Sequence, residues 1–173
     1  MDPSKRYNLA DAITVVGTCE DMCPEYERHE REYANDLMDF EKVRSGREGR
    51  REIPGTNRVD HQCAVKKYSR SAADSGTPLP CDLRPPMVLK RTLTYLLHTI
   101  IPTYGLEASH AFVRDRLRAI RKDLTIQNIR GLDAIDICEP IARFHILCAH
   151  RLCESTKVDV AQEVEQMRKC VHF

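Results

Sequence analysis

A pair of cysteines stands just before a highly charged segment, in the stretch "GTCEDMCPEYER" of residues 17–28. Cys19 and Cys23 lie four positions apart, a spacing that supplies half of a tetrahedral zinc site. The other half would come from a distance, with His29 and His61 as candidates, and neither histidine lies in a zinc-knuckle pattern. Zinc and redox chemistry are therefore alternatives to a purely structural role for these thiols.

The structural interpretation, which we favour, makes the same stretch a loop that leads into a helix. Thr18 or Asp21 would cap the helix with a side-chain oxygen, and Pro24 would occupy its first position. Met22 and Cys23 would then pack as small apolar side chains.

A second cluster consists of His145, Cys148, His150 and Cys153. His145 and Cys148 are three residues apart and share one helical face, which offers a metal two ligands but rarely four. We therefore interpret the cluster as a core histidine with buried thiols.

Basic residues form the third candidate site. Residues 84–130 contain nine Lys or Arg and three Asp or Glu, whereas residues 20–52 contain eleven acids and seven bases. Arg114, Arg118 and Arg121 follow helical spacing and predict an exposed ridge flanked by Lys122, which would grip phosphates or an acidic protein surface. The alternative is a solvated helix face on which Asp115 and Asp123 neutralise part of the charge.

Sequence motifs of catalysis are absent. The chain has no glycine-rich phosphate loop, no Gly-x-Ser-x-Gly motif and no HExxH motif. We predict a protein that is not an enzyme and that has no catalytic residue, cofactor or metal.

Composition favours a helical protein. The 173 residues include 27 Lys or Arg and 26 Asp or Glu, no Trp and only 7 Gly. Eight Cys without a signal peptide or an apolar span indicate an intracellular protein with reduced thiols and no membrane contact.

Periodicity predicts successive helices. The first is long, from Pro24 to about Ser45, with Tyr26 and Tyr33 on its apolar face. Later elements are a short helix at 63–73, helices at 86–101 and 106–126, a buried helix at 133–152 that Pro140 kinks or starts, and an amphipathic helix carrying Val160, Val164, Met167 and Val171.

The expected fold is all-α, with stacked antiparallel helices of the helical-repeat type, an extended N-terminal arm and one long first helix. We divide the chain into an arm and lead-in loop at 1–23, the charged first helix and a polar linker at 24–60, and a helical stack at 61–173 that is truncated at its C-terminal end.

Five blocks of sequence resemble the GANP-type mRNA-export scaffold family. They are "VVGTCEDMCPEYERHERE", "AVKKYSRSAA", "LPCDLRPPMVLKRTLTYLL", "FVRDRLRAIRKDLTIQ" and "FHILCAHRLCE", and together they span most of residues 15–154.

The resemblance implies a scaffold subunit of the nuclear-pore-associated transcription-and-export complex two. Expected partners are export-complex subunits, including a PCI-type protein and a small acidic subunit, with a DEAD-box RNA helicase and sequence-independent RNA as further expectations. The family includes large scaffolds and small nuclear proteins, and this region does not separate them. The implied location is the nucleus, at the nuclear pore.

Two residue sets carry the expected binding. A docking signature comprises Cys19, Asp21, Met22, Cys23, Pro24 and Glu25. The partner- or RNA-binding set comprises Lys66, Lys67, Arg70, Arg84, Lys90, Arg91, Arg114, Arg118, Arg121 and Lys122.

Overall fold

The computed structural model describes residues 15–43, 57–70 and 78–171. Helices dominate this part of the chain: α1 Glu25–Tyr33, α2 Pro86–Tyr95, α3 Ile101–Tyr104, α4 Leu106–Ile126, α5 Leu132–Arg151 and α6 Val160–Val171. The β-type pairing within the described ranges is limited to an isolated bridge between Lys42 and Val59. The all-α prediction is confirmed. Most of the predicted arm and linker lies outside the described residues, and the domain boundaries stay a prediction.

The prediction of a long first helix is wrong, because α1 ends after nine residues. Asn35 adopts a left-handed conformation with φ 55°, which interrupts a right-handed helix and which asparagine tolerates better than most residues. The Arg31 side chain binds the carbonyl of Asp36 at 3.2 Å and holds the chain in this exit. A 3-10 turn at Asp39–Glu41 follows.

Helix α1 also faces the opposite way from the prediction. Its buried side chains are Arg28 and Arg31, whereas Tyr26 and Tyr33 are exposed. Hydropathy alone placed the tyrosines inside, and buried ion pairs reverse that orientation.

The helix that begins at Pro86 continues past Pro102, where the sequence predicted its end. A π-helical turn at Leu96–Ile100 joins α2 to α3. Proline has no N–H to donate and its ring clashes with the carbonyl four residues earlier, and a wider turn relieves both constraints. Gly105, with φ 83°, then separates α3 from α4.

Helix α4 contributes one apolar face to the core. Val113, Leu117, Ile120 and Leu124 are fully buried and pack with residues of α2 and α5. Each such side chain contributes about 1.5–3 kcal/mol by its removal from water.

Helix α5 is less buried than predicted. It begins at Leu132 and carries Pro140 inside it, so Pro140 does not mark its start. Ile137, Ile141 and Phe144 are buried, but the opposite face leaves several apolar side chains exposed: Leu132, Ile135, Ile146 and Leu147.

Helix α6 uses a polar face for packing. Its buried residues are Glu163, Gln166 and Cys170, whereas Val164 and Val171 of the predicted apolar face are exposed. Glu163 contacts His145 of α5 and His110 of α4, which fixes α6 against both helices.

The short helix predicted at 63–73 is wrong over its described part, because residues 64–70 are irregular. Four consecutive backbone N–H groups of this segment donate to partners outside it: Val65 to Glu41, Lys66 to Met22, Lys67 to Glu27 and Tyr68 to Asp115. Three of these acceptors are side-chain carboxylates. They satisfy backbone donors that a helix would otherwise pair internally. Residues 71–73 lie outside the described ranges.

In the part of the chain that the structure describes, no helix has the length and apolar character that a bilayer crossing requires.

Candidate functional site

The loop that contains the paired cysteines is fixed by main-chain hydrogen bonds. Thr18 N–H donates to the Pro80 carbonyl at 2.8 Å and Cys19 N–H to the Leu83 carbonyl at 3.0 Å. Gly17 N–H donates to Oε1 of Gln127 at 2.8 Å. A Cβ on Gly17 would lie 2.4 Å from the Leu83 carbonyl oxygen. The close approach of these two segments of the chain therefore requires glycine at position 17.

Within this loop both thiols are buried. Cys19 Sγ donates to the Asp21 carbonyl at 3.3 Å, and burial raises the pKa values of Cys19 and Cys23. These environments favour inert, protonated thiols. The predicted packing of Cys23 and the partly buried Met22 is confirmed.

The predicted cap of α1 is wrong. Pro24 is the N-cap residue and no side chain caps the helix. The Asp21 carboxylate instead accepts a hydrogen bond from Arg28 at 2.8 Å. Of the docking signature, Asp21 and Glu25 are exposed, whereas Cys19, Cys23 and Pro24 are buried.

Asp123 ties this loop to α4. Its completely buried carboxylate binds Lys66 Nζ at 2.7 Å and Arg84 Nε at 2.8 Å. The Arg84 Nη1 group also donates to the Met22 carbonyl at 3.2 Å. Lys66 and Arg84 were predicted to bind partners, but Arg84 is fully buried and Lys66 nearly so. The structure therefore gives both side chains an internal role.

A second buried carboxylate, Glu41, joins four segments. Both of its oxygens bind Arg31 of α1, and Arg116 of α4 lies 2.9 Å from Oε2. Backbone N–H groups of Val65 and Met38 donate to it at 3.1 and 3.2 Å. Burial would raise the pKa of Glu41, but the two arginines lower it below its usual value. We call Glu41, Arg31 and Arg116 the arginine cluster.

A third buried carboxylate, Glu163, holds α6. His145 Nδ1 lies 2.7 Å from Oε2, and His110 Nε2 and Arg114 Nε lie 3.2 and 2.9 Å from Oε1. Burial would raise the pKa of Glu163, but the bonds to the histidines lower it to about 2. Burial lowers the pKa of His145. We call Glu163, His110, His145 and Arg114 the histidine cluster.

The predicted cluster on α5 is divided by the structure. His145 and Cys148 are buried, as expected for core residues, whereas His150 and Cys153 are exposed. Donor atoms of His110, Cys148 and Glu163 lie within 4.8 Å of one another, a set that zinc accepts. Arg114, whose Nε lies 2.9 Å from Glu163 Oε1, places a positive charge beside this set and opposes a cation there. Hydrogen bonds from His110 and His145 account for the position of the Glu163 carboxylate.

The prediction of an exposed basic ridge on α4 is wrong. Arg121 is buried against Gln166 of α6, and Arg114 is bound to Glu163 and Gln162. These arginines turn inward because the packing face of α6 is polar. The more accessible basic residues are Arg118, whose guanidinium lies 4.0 Å above the Tyr68 ring, and Lys122.

Other members of the predicted binding set have partners on the protein surface. Lys90 bridges Asp133 and Asp136, Lys67 pairs with Asp36, and Arg91 binds the Glu20 carbonyl. Arg70 is exposed and lines one groove with Tyr68 and Lys122. With Arg118 and Lys122, Arg70 forms a group that we call the basic stripe.

An apolar groove between α5 and α6 was not predicted. Its volume is about 420 Å³, and its wall includes Ile135 and Val171, the latter 71% exposed. Leu132, which is 78% exposed, precedes it on α5. Sequence reasoning missed the groove because it treated all apolar residues of α5 as buried.

Comparison with known proteins identifies the family. The sequence model of the SAC3/GANP family matches residues 22–173. The chain belongs to the SAC3/GANP family. It is 51% identical over 169 residues to SAC3 family protein 1 of Schizosaccharomyces pombe, a match that covers 97% of the chain.

More distant relatives agree. Protein xmas of Drosophila melanogaster is 38% identical over 165 residues, covering 90% of the chain, and SAC3 family protein B of Arabidopsis thaliana is 37% identical over 171 residues, covering 94%. The matches cover only 16%, 8% and 9% of the three relatives' own lengths.

Proposed function

We propose that this chain is a non-enzymatic scaffold module of a nuclear mRNA-export complex, which acts at the nuclear pore and binds export-pathway proteins. Family membership supports the export role. The candidate partners are those that the resemblance implies: a PCI-type subunit, a small acidic subunit and a DEAD-box RNA helicase.

The observation that carries the proposal is the use of the buried charged groups. Glu41, Asp123 and Glu163 each bind two or more arginine, lysine or histidine side chains inside the protein. Ionisable groups with strongly shifted pKa values often mark active sites, but internal ion-pair networks shift pKa values as well. Here the network connects irregular segments to the helices, which gives a rigid frame on which accessible surfaces bind partners.

The α5–α6 groove is the surface that we assign to protein docking. Exposed apolar side chains at Leu132, Ile135 and Val171 favour a protein partner, because contiguous apolar surface in water is unfavourable. A partner helix that inserts apolar side chains between α5 and α6 would bury them.

A pull-down with purified export-pathway proteins tests this assignment. We expect binding that survives physiological salt and is lost in the double variant Ile135→Asp, Val171→Asp. The matched control places the same change at Met87, an exposed apolar residue of α2. Equal binding by the groove variant and the wild type, with helicity retained, would refute the assignment.

RNA is a second candidate partner, and the basic stripe is the feature that favours it. Arg118 lies over the Tyr68 ring, and Tyr68, Arg70 and Lys122 line one open groove, which suits sequence-independent contact with phosphates. The double variant Arg118→Glu, Lys122→Glu should weaken the binding of a labelled single-stranded RNA and reduce its salt dependence by about one unit of slope per lost contact.

The control for the RNA experiment is Lys157→Glu with Arg168→Glu, two exposed basic residues elsewhere. Equal losses in both variants would assign the binding to net charge rather than to the stripe. Arg114 is unsuitable for this test, because a carboxylate there would face buried Glu163. Stoichiometric zinc in the purified protein would instead support the zinc-module alternative.

A further inference from the structure

Helix α1 presents two tyrosines to water although it buries its arginines. Tyr26 is 75% exposed and Tyr33 is 92% exposed. They are seven residues apart, so they lie on the same face of the helix, with His29 and Glu30 between them. We call these four residues the tyrosine face.

Burial of the arginines leaves this face without a cation of its own helix. Arg28 binds Asp21 and the His61 carbonyl, and Arg31 belongs to the arginine cluster. Among the residues that the structure describes, Glu25 and Glu30 have no ion-pair partner. Lys67, whose N–H donates to Glu27 of α1, has its ammonium group paired with Asp36.

An open groove of about 560 Å³ runs beside Tyr26. Carboxylates occupy several positions of its wall, at Glu20, Asp21, Glu25 and Asp82. Arg28 is its basic residue, and its charge is directed to Asp21. Aromatic rings and unpaired carboxylates are thus adjacent on one accessible surface.

We propose that the tyrosine face and its groove bind an arginine-rich or lysine-rich segment of a partner protein. The inference rests on the proposed scaffold function and specifies the chemistry of one partner. A guanidinium group stacks favourably on the face of a tyrosine ring, and the carboxylates complement its charge. The protein itself contains such a contact, with Arg118 4.0 Å above the ring of Tyr68.

Fluorescence anisotropy with a labelled peptide that alternates arginine and serine tests the proposal on the whole chain. The double variant Tyr26→Ala, Tyr33→Ala keeps the net charge, and we expect its affinity to fall about tenfold. The variant Tyr26→Phe, Tyr33→Phe keeps both rings and should bind within about twofold of the wild type.

Charge variants provide the matched control. Glu25→Gln with Glu30→Gln should weaken binding about threefold at low salt and less at physiological salt. Glu139→Gln with Glu165→Gln removes the same charge from exposed positions of α5 and α6 and should leave the affinity unchanged. Wild-type affinity in the double alanine variant, or equal losses in the two glutamine pairs, would overturn the proposal.

Binding of the peptide and of export-pathway proteins to the wild-type chain, measured side by side, separates this inference from the proposed function. If export-pathway proteins still bind the wild-type chain but the arginine peptide does not, the scaffold role stands and the tyrosine face is not a receptor for basic segments. If the peptide binds as expected and no export-pathway protein does, the proposed function fails and the basic-segment receptor stands alone.

Discussion

The arginine cluster and the histidine cluster solve the same problem with different chemistry. Each places one carboxylate in the interior and surrounds it with cationic or imidazole groups from other segments. Glu41 is bound by two arginines, which stay charged at all ordinary pH values. Glu163 is bound by two histidines and one arginine, and burial lowers the pKa of one of these histidines, His145.

The difference indicates that the two clusters hold their segments with different strength and different pH dependence. The arginine cluster attaches α1 and the irregular segments to α4, and it is independent of pH down to the range where carboxylates protonate. The histidine cluster attaches α6 to α4 and α5 and depends on His145 staying neutral, because burial lowers its pKa. We therefore expect the N-terminal segments to be held more firmly than α6.

The largest effect should follow from Glu41→Gln. The substitution leaves Arg31 and Arg116 buried without their charge partner, which typically costs about 3–5 kcal/mol. Urea unfolding measures the change in the free energy of unfolding. Asp39→Asn is the control, because the Asp39 side chain is 92% exposed and its pair with Lys42 contributes little. A loss of less than about 1 kcal/mol for Glu41→Gln would contradict the firm attachment.

Gly17→Ala tests the same region through its backbone. The added Cβ would lie 2.4 Å from the Leu83 carbonyl oxygen. The two segments would have to move apart, which should lower the free energy of unfolding by about 1–3 kcal/mol. Thr18→Ala removes an exposed side chain next to it and should be nearly neutral. Equal stability of the two variants would show that the loop adjusts freely.

Glu163→Gln should cost less than Glu41→Gln, about 1–3 kcal/mol. The neutral amide still accepts one hydrogen bond from the cluster, His145 remains neutral after burial lowers its pKa, and Arg114 is partly exposed to water. Hydrogen exchange should show faster exchange in α6 with little change in α1. Uniformly faster exchange through both helices would mean that the two clusters are not independent.

Much of the helical core was predictable from the sequence, because α2 and α4 repeat apolar residues at helical spacing and bury that face. The same rule failed for α1 and α6. In α1 the buried side chains are arginines, and their acceptor, Glu41, lies beyond a turn that the sequence did not reveal. In α6 the buried face is Glu163 and Gln166, whose partners come from distant helices.

The prediction of the site was therefore limited because the sequence does not show which distant residues pair with each charged side chain. Hydropathy treats an arginine as a surface residue, and a buried ion pair becomes visible only when both partners are placed. The basic ridge failed for this reason: its spacing on α4 was correct, but Arg114 and Arg121 turn toward α6. Their partners are Glu163 and Gln166 of α6, far along the chain from both arginines.

The smallest effect should separate the clusters by pH. Burial lowers the pKa of His145 below its usual value of 6.5, so the unfolded chain takes up the proton first and stability falls as the pH drops below about 6.5. The pKa values of Glu41 and Glu163 are lowered instead, so their contributions to stability are lost only below about pH 4.5.

Between pH 6.5 and 4.5, therefore, only the histidine cluster should weaken. The melting temperature should be about 2–4 °C lower at pH 5.5 than at pH 7.5. The variant His145→Gln keeps a donor near Glu163 but does not titrate, and it should lose this dependence. If the variant keeps the wild-type slope, other groups carry the pH response and α6 is held as firmly as α1.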